Sequence, residues 1–430
     1  MSKSKYQPYA QYKPSQSEWL DKVPEKWEEK RLKFLISQKI TDGPHETPKF
    51  ISEGVPFLSV DGIQNDRLVF ENCRFISQEN HTQYKLKCFP RKGDILLGKA
   101  ASVGKVAIVD VDFEFNVWSP LALIRANKKI LSKYIYYSFK ANTLQDQVSI
   151  RSTSNTQHNL SMDDIPELWL TFPSVENQKV IIAFLDCETA KIDQIIDKNN
   201  RLVKLLQEQR QAIITRAVTK GLDPHAHLKF SGIDWLGDIP ENWEVKRLNY
   251  LISNIVDKAT NSQKSDFIVA LENIEGWTGN FLLPDDQKMP EGDLKRFSKG
   301  DVLFGKLRPY LAKVFLAEQN GLCVGEALVF RTKRKLLNKF LAYRILTKDF
   351  INYIDSSTQG AKMPRAEWEF IKTLFISYPS SEEQQKIIKY IDHKTAKIDE
   401  IVKKVKTENQ KLQEYRQALI SNAVTGKIQV

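Results

Sequence analysis

One glycine–lysine segment has the outline of a phosphate-binding loop: Gly98-Lys99-Ala100-Ala101-Ser102-Val103-Gly104-Lys105-Val106. Such a loop cradles phosphates on backbone N–H groups and needs a Ser or Thr hydroxyl after its lysine for magnesium. Here the spacing is one residue too long, and Val106 stands where the hydroxyl belongs. Pro284-Asp285 lacks the following Glu-x-Lys of a PD-(D/E)xK nuclease, and no Asn/Asp-Pro-Pro-aromatic loop of an amino-methyltransferase occurs. The 6 histidines form no HExxH and share no spacing. Glu28-Glu29-Lys30 and Glu244-Val245-Lys246 fall in a tryptophan-rich block, where surface ion pairing is the expected role. Cys73, Cys88, Cys187 and Cys323 form no CxxC pair, which fits neither a zinc site nor a disulfide framework and suits a reducing cytosol. A chain of 430 residues without one complete catalytic constellation reads as a binder, with no catalytic residue and no metal ligand.

What it binds is suggested by charge. The chain carries 64 Lys and Arg against 53 Asp and Glu, a net charge of +11. A basic excess of this kind is the footprint of a polyanion, most often nucleic acid. A soluble basic protein without such a partner is the bland alternative. No signal peptide and no apolar run near the length of a membrane span is present, so a cytoplasmic protein is expected. Residues 1–17 are polar and rich in Tyr, Gln and Ser, which predicts a frayed end.

The same sentence is written twice along the chain. WLDKVPEKWEEKRLKFLIS (19–37) returns as WLGDIPENWEVKRLNYLIS (235–253). Lys92-Gly93-Asp94-Ile95-Leu96-Leu97-Gly98-Lys99 returns as Lys299-Gly300-Asp301-Val302-Leu303-Phe304-Gly305-Lys306. PSVENQKVIIAFLDCETAKID (173–193) returns as PSSEEQQKIIKYIDHKTAKID (379–399), and Arg210-Gln211-Ala212 returns as Arg416-Gln417-Ala418. A period this long means duplication of whole domains, not a solenoid. The paired tryptophans Trp19, Trp27, Trp235 and Trp243 read as core anchors.

Inside each copy, short apolar runs between Gly, Pro and Asp turns read as strands: 55–60, 95–97, 106–109 and 121–124, then 267–271, 302–304, 314–316 and 327–330. Helical patterns interrupt them at 132–142 and 337–347. After Ser174 and again after Ser380 the texture changes to a long amphipathic helix of about 40 residues, or roughly 60 Å. Ser380 with Glu383 forms a capping-box pattern. The expected seam is Ile192, Ile196, Leu202, Leu206 and Ile213 in the first helix, interrupted by Asn199, and Ile398, Val402, Val405, Leu412 and Leu419 in the second. Such a stripe must be buried, and the other helix is the nearest partner. A pseudo-two-fold relation between the halves would set the two helices antiparallel. Residues 222–230 read as a connector.

This order of globular unit, long helix, globular unit, long helix resembles the DNA-specificity (S) subunit of type I restriction–modification enzymes. The Lys-Gly-Asp blocks, Gly305-Lys306-Leu307-Arg308-Pro309-Tyr310-Leu311 and the two helix starts carry the resemblance, which covers essentially the whole chain. It implies an α+β fold: two similar target-recognition domains joined by two long antiparallel coiled-coil helices with internal pseudo-two-fold symmetry. The expected segments are 1–173 (first target-recognition domain), 174–221 (central spacer helix), 222–379 (second domain) and 380–430 (C-terminal spacer helix). Each domain would read one half of a bipartite, asymmetric site in double-stranded DNA. The helices would set the gap and dock two methyltransferase subunits, and two motor-nuclease subunits can join that core. S-adenosylmethionine, ATP and magnesium would be bound by those partners, which would methylate adenine N6 and cleave DNA. Two other readings remain open: a specificity subunit of a methyltransferase-only complex, and a self-contained DNA methyltransferase or nuclease. A coiled-coil scaffold for acidic partners is a third.

Reading base edges takes Arg or Lys for guanine and Asn or Gln for adenine. Loops rich in these residues are the candidates. In the first domain they supply Lys39, His45, Lys49, Lys99, Ser102, Lys105, Arg151, Ser154, Asn155, Gln157 and His158. In the second they supply Lys258, Lys306, Arg308, Tyr310, Gln359, Lys362 and Arg365. The helix cations Lys198, Arg201, Lys204, Lys403, Lys404 and Lys406 read as solvated surface. Stretches 38–88 and 254–296 scarcely align between copies, so the scaffold is alike where the interior differs.

Overall fold

The computed structural model describes residues 6–154, 158–259, 267–283, 292–333, 335–358 and 363–430. The chain forms two compact units, Met1–Asn199 with Thr407–Val430, and Asn200–Lys406. The long helices Val175–Lys220 and Ser381–Val424 both cross that division. Each unit therefore contains part of both helices.

In the first unit a four-stranded antiparallel sheet runs in the order Val106–Ile108, Ile95–Gly98, Leu121–Ile124, Thr41–Asp42. Successive side chains point to opposite faces. Ile95, Leu97, Ala122 and Ile124 face the helices Ser132–Lys140 and Asn142–Arg151 in the main core. Leu96, Leu121 and Leu123 face a second core under the three-stranded sheet Asn116–Val117, Val55–Leu58, Arg74–Ile76. Burial on both faces explains why these strands are apolar throughout. The second unit repeats the main sheet as Ile252–Asn254, Ala327–Thr332, Val302–Gly305, Val314–Leu316. Its smaller sheet is ordered differently: Gly321–Val324 is central, between Ile268–Val269 and Leu294–Phe297, whereas its counterpart Asn116–Val117 lies at an edge.

The repeated motifs turn out to be joints. Gly93 and Gly300 adopt φ of 89° and 91°, a region that favours glycine. That turn lets buried Asp94 accept the Arg91 N–H at 2.8 Å and pair with Arg125 at 2.6 Å. Asp301 likewise accepts the Ser298 N–H at 2.8 Å and pairs with Arg331 at 2.7 Å. Gln178, fully buried, accepts the Leu131 N–H at 2.9 Å and donates to Lys129 and Pro173 carbonyls at 3.0 Å each. Gln384 does the same with Leu337, Lys335 and Pro379, each at 2.9 Å. These glutamines fix the start of each long helix to its own unit.

The far halves of the helices are fixed by the Arg-Gln-Ala repeat. In the first unit Arg416 pairs with Asp193 at 2.9 Å, and Gln417 donates to the Lys140 carbonyl at 2.5 Å. In the second, Arg210 pairs with Asp399 at 3.1 Å, and Gln211 donates to the Leu346 carbonyl at 2.7 Å. Leu419, Ile420, Ala423 and Val424 complete the main core of the first unit, as Ile214, Ala217 and Val218 complete that of the second. The two segments run antiparallel in the first unit, where Asn199 donates to Asn409 at 2.8 Å. Of the seam residues, Ile192, Ile398, Val405 and Leu419 are buried, and Ile196, Leu206, Ile213, Val402 and Leu412 are half-buried. Leu202 is exposed.

Three expectations change. Residues 6–17 are not frayed: Tyr12–Pro14 pairs with Lys22–Pro24, Tyr9 meets the Trp27 ring edge-on, and the Tyr12 hydroxyl donates to the Gly426 carbonyl at 2.9 Å. The last third of the expected connector is the matching strand of the second unit, Leu228–Phe230 paired with Asp238–Pro240. The capping box is half formed: the Ser380 hydroxyl accepts from Glu383 N at 3.3 Å, but the Glu383 carboxylate accepts from Trp243 Nε1 at 3.0 Å instead of reaching back. Among the described residues no helix is long and apolar enough to cross a membrane.

Gln384→Leu preserves volume but strands one N–H and two carbonyls. A loss of about 2–3 kcal/mol is expected in chemical denaturation, and Gln178→Leu should behave alike. A loss below about 0.5 kcal/mol in both would show that water replaces the amide.

Candidate nucleic-acid interface

Two of the three candidate loops in each unit meet at one end of the main sheet. In the first unit the loop after strand Ile95–Gly98 is bridged to the last loop: the Leu160 N–H donates to the Lys99 carbonyl at 2.7 Å, and Ala100 stands opposite Asn159. In the second, the Ala366 N–H donates to the Lys306 carbonyl at 2.9 Å, the Arg308 N–H to the Pro364 carbonyl at 2.8 Å, and Leu307 stands opposite Arg365. The same joint is thus built twice, from unlike side chains.

A buried or half-buried carboxylate organises each joint. Asp42 ends the edge strand of the first unit and lies 2.6 Å from Lys87 Nζ, 3.3 Å from Lys99 Nζ and 3.1 Å from His45 Nε2. Burial pushes the Asp42 carboxyl up, but Lys87 and Lys99 overcome this and hold it below the usual aspartate range. In the second unit Glu326, in the turn before strand Ala327–Thr332, pairs with Arg365 at 2.8 Å and Lys306 at 3.7 Å. Nothing in the sequence singled out Asp42 or Glu326.

The candidate residues fall into distinct settings. Lys99 is 8% exposed, so its ammonium supports the loop from beneath and does not face solvent. Lys39 and Lys49 are exposed on either side of the edge strand, and His45 is exposed with Nδ1 3.2 Å from Ser119 Oγ. Ser102 is half-buried and Lys105 exposed, in a loop whose tight path uses Ala101 at φ 62° and Gly104 at φ 85°. Arg151 ends its helix 3.6 Å from Asp164. Ser154 stands opposite the exposed His158 in a two-residue ladder. Asn155, Gln157, Gln359 and Lys362 lie outside the described residues.

In the second unit Lys258 pairs with Asp293 at 2.9 Å on the surface. Arg308 is exposed and holds φ 50°, ψ 63°, a left-handed conformation uncommon for a residue with a Cβ. Tyr310 is exposed beside it. The Lys306–Tyr310 loop therefore presents a cation and a ring on strained backbone. Among the described residues no group of three or more His, Cys, Asp or Glu is placed to hold a metal.

A family model for the type I restriction modification DNA specificity domain matches residues 24–204 and 240–411. The putative type I restriction enzyme MjaX specificity subunit of Methanocaldococcus jannaschii is 25% identical over 431 residues, covering 96% of both chains. The type I restriction enzyme EcoDI specificity subunit of Escherichia coli is 21% identical, covering 82% of both. A solved chain described under complex assembly and conformational transition of the type I R-M system superposes with a TM-score of 0.68 at 15% identity, over 94% of this chain and 99% of that one.

Asp42→Asn leaves Lys99 buried without its counter-charge, and a loss of about 3 kcal/mol is expected in denaturant. The pH dependence has a definite sign. A depressed carboxyl contributes stability that is present above its ordinary value of 3.8 and lost as pH falls through the lower folded value. Wild-type stability should therefore fall more steeply than that of Asp42→Asn below that pH. Parallel acid-unfolding curves would rule out the ion pair as the source.

Proposed function

The chain belongs to the type I restriction–modification DNA specificity family, and from that premise we propose that it chooses the DNA site on which partner subunits act. Each unit reads one half of a bipartite, asymmetric target through the loops at one end of its main sheet. The two long helices, related with the units by a pseudo-two-fold axis, form a coiled-coil spacer that sets the unread gap. Two methyltransferase subunits dock on this frame, and two motor-nuclease subunits join them. The chain itself does no chemistry. S-adenosylmethionine, ATP and magnesium belong to the partners, which flip and methylate adenine at N6 and cleave unmodified DNA in an ATP-dependent reaction.

The observation that carries this reading is the joint built twice. Its backbone hydrogen bonds match, Leu160 to Lys99 and Ala366 to Lys306, while the side chains at its rim do not. A common frame with unlike rims is what reading two unlike half-sites requires. The net charge of +11 suits phosphate contacts that position the frame before bases are read. Arg308, Tyr310 and Arg365 in one unit, and Lys105, Arg151 and His158 in the other, are the side chains placed at those rims. Segments 174–221 and 380–430 serve as spacers and 1–173 and 222–379 as readers.

Base-modification sequencing of host DNA, with and without this gene, tests the proposal. Loss of a single bipartite methyladenine motif on deletion is expected. An unchanged methylome, with the methyltransferase partner present and active, would sink it.

A further inference from the structure

Beside the candidate loops of the first unit lies a guanidinium with no ion-pair partner among the described residues. Arg74 opens the strand Arg74–Ile76, opposite Phe57 of the central strand. Its Cζ lies 4.7 Å from the centre of the Phe50 ring and 5.7 Å from that of Trp118. Those two rings meet edge-on at 6.3 Å, and Phe57 braces both at 6.1 and 6.0 Å. Cation–π attraction at such distances holds the guanidinium in place. The residue is nonetheless exposed, and among the described residues its N–H groups have no hydrogen-bond or ion-pair partner.

Some of the candidate cations are committed, Lys99 to Asp42 and Arg151 to Asp164 in this unit, and Lys306 and Arg365 to Glu326 in the other, whereas Lys39, Lys49 and Lys105 are exposed without a platform of rings among the described residues. The backbone ties Arg74's platform to the reading joint. The Trp118 N–H donates to Leu58 at 2.8 Å, and two residues later the Pro120 carbonyl accepts the Lys99 N–H at 2.8 Å. Arg74 and Trp118 also line a cavity of about 450 Å³ with Ser59, Asp61 and Asn72. Among the described residues the second unit shows no such arrangement. Its strand order differs, Gly325 and Glu326 occupy the corresponding turn, and Arg296 on the edge strand faces Asp257 at 3.5 Å.

We propose that Arg74 is a base-reading residue of the first unit, donating its forked N–H pair to O6 and N7 of one guanine, with Phe50 and Trp118 as positioning residues. This rests on the DNA-reading function proposed above. Three features favour a base over a phosphate. A phosphate accepts donors over a wide range of approach, whereas O6 and N7 of guanine lie in the base plane and call for donors held in that plane. Two rings fix that plane before DNA arrives, which removes the ordering cost of a long side chain. With no protein partner among the described residues, the exposed donors face water, which a base edge can replace.

The test uses the complete complex of this chain with its methyltransferase partner, carrying wild-type, Arg74→Lys or Arg74→Gln, followed by base-modification sequencing of the DNA it methylates. Wild type should give a single bipartite motif; if it gives none, the proposed function itself fails before any variant is compared. Arg74→Lys keeps the cation and should relax one G·C pair in one half, lowering discrimination there by about tenfold to a hundredfold, with the other half and the gap unchanged. Arg74→Gln should relax the same pair. A motif intact at every position in both Arg74→Lys and Arg74→Gln overturns the assignment, whether or not total methylation falls, because glutamine supplies neither the charge nor the fork that guanine takes. Relaxation at an A·T pair or in both halves also overturns it. So does failure of both variants to assemble with the partner, which would place Arg74 in the core.

Discussion

An apolar stripe longer than its own unit can cover is the constraint on which this structure depends. The helix starting at Val175 begins in the first unit, and its last turns are buried only because Ile214, Ala217 and Val218 enter the core of the second. The helix starting at Ser381 returns the relation, giving Leu419, Ile420, Ala423 and Val424 to the first. Each fully buried aliphatic side chain contributes about 1.5–3 kcal/mol. The first core is not complete without Leu419 to Val424, and the second not without the last turns of the helix that starts in the first unit. The arginine, glutamine and asparagine contacts along these segments set which turn meets which.

Around that constraint the repeated residues divide by role. The Lys-Gly-Asp turns, the buried glutamines Gln178 and Gln384, and the Arg-Gln-Ala segments all satisfy backbone groups or pair charges inside one unit. They recur because the same joints must be made twice. The smaller sheets and their turns carry little of that burden, and there the two units diverge in strand order and in side chain. Divergence therefore collects where it costs the frame least.

Much of this frame is legible in the sequence. Strands 95–98, 121–124, 302–305 and 327–332 announce themselves as short apolar runs bounded by turns, and the long helices by periodicity without Pro or Gly. Trp27 and Trp243 are buried anchors, as the block suggests. The rest depends on partners distant in the chain. Tyr12–Pro14 is a three-residue strand with no periodicity to detect, and it is held by Trp27 and by residue 426. Lys99 in a glycine-rich loop looks exposed until Asp42 is brought beneath it by the edge strand. Arg74 is one basic residue among 64 until the sheet lays it against Phe50 and Trp118.

The closure of the first unit by the last residues of the chain bears on how the protein is made. The Tyr134 hydroxyl donates to the Val424 carbonyl at 3.1 Å across 290 residues, and the Gln429 N–H donates to the Gln7 carbonyl at 2.8 Å. A ribosome delivers the amino-terminal sheet and helices long before it delivers that seal. At 5–20 residues per second, the first unit waits on the order of tens of seconds with the seat for Leu419 to Val424 open. All residues of the second unit, 200–406, are translated before residues 407–430, which complete the first. The half that is translated first is therefore the last to receive its full core.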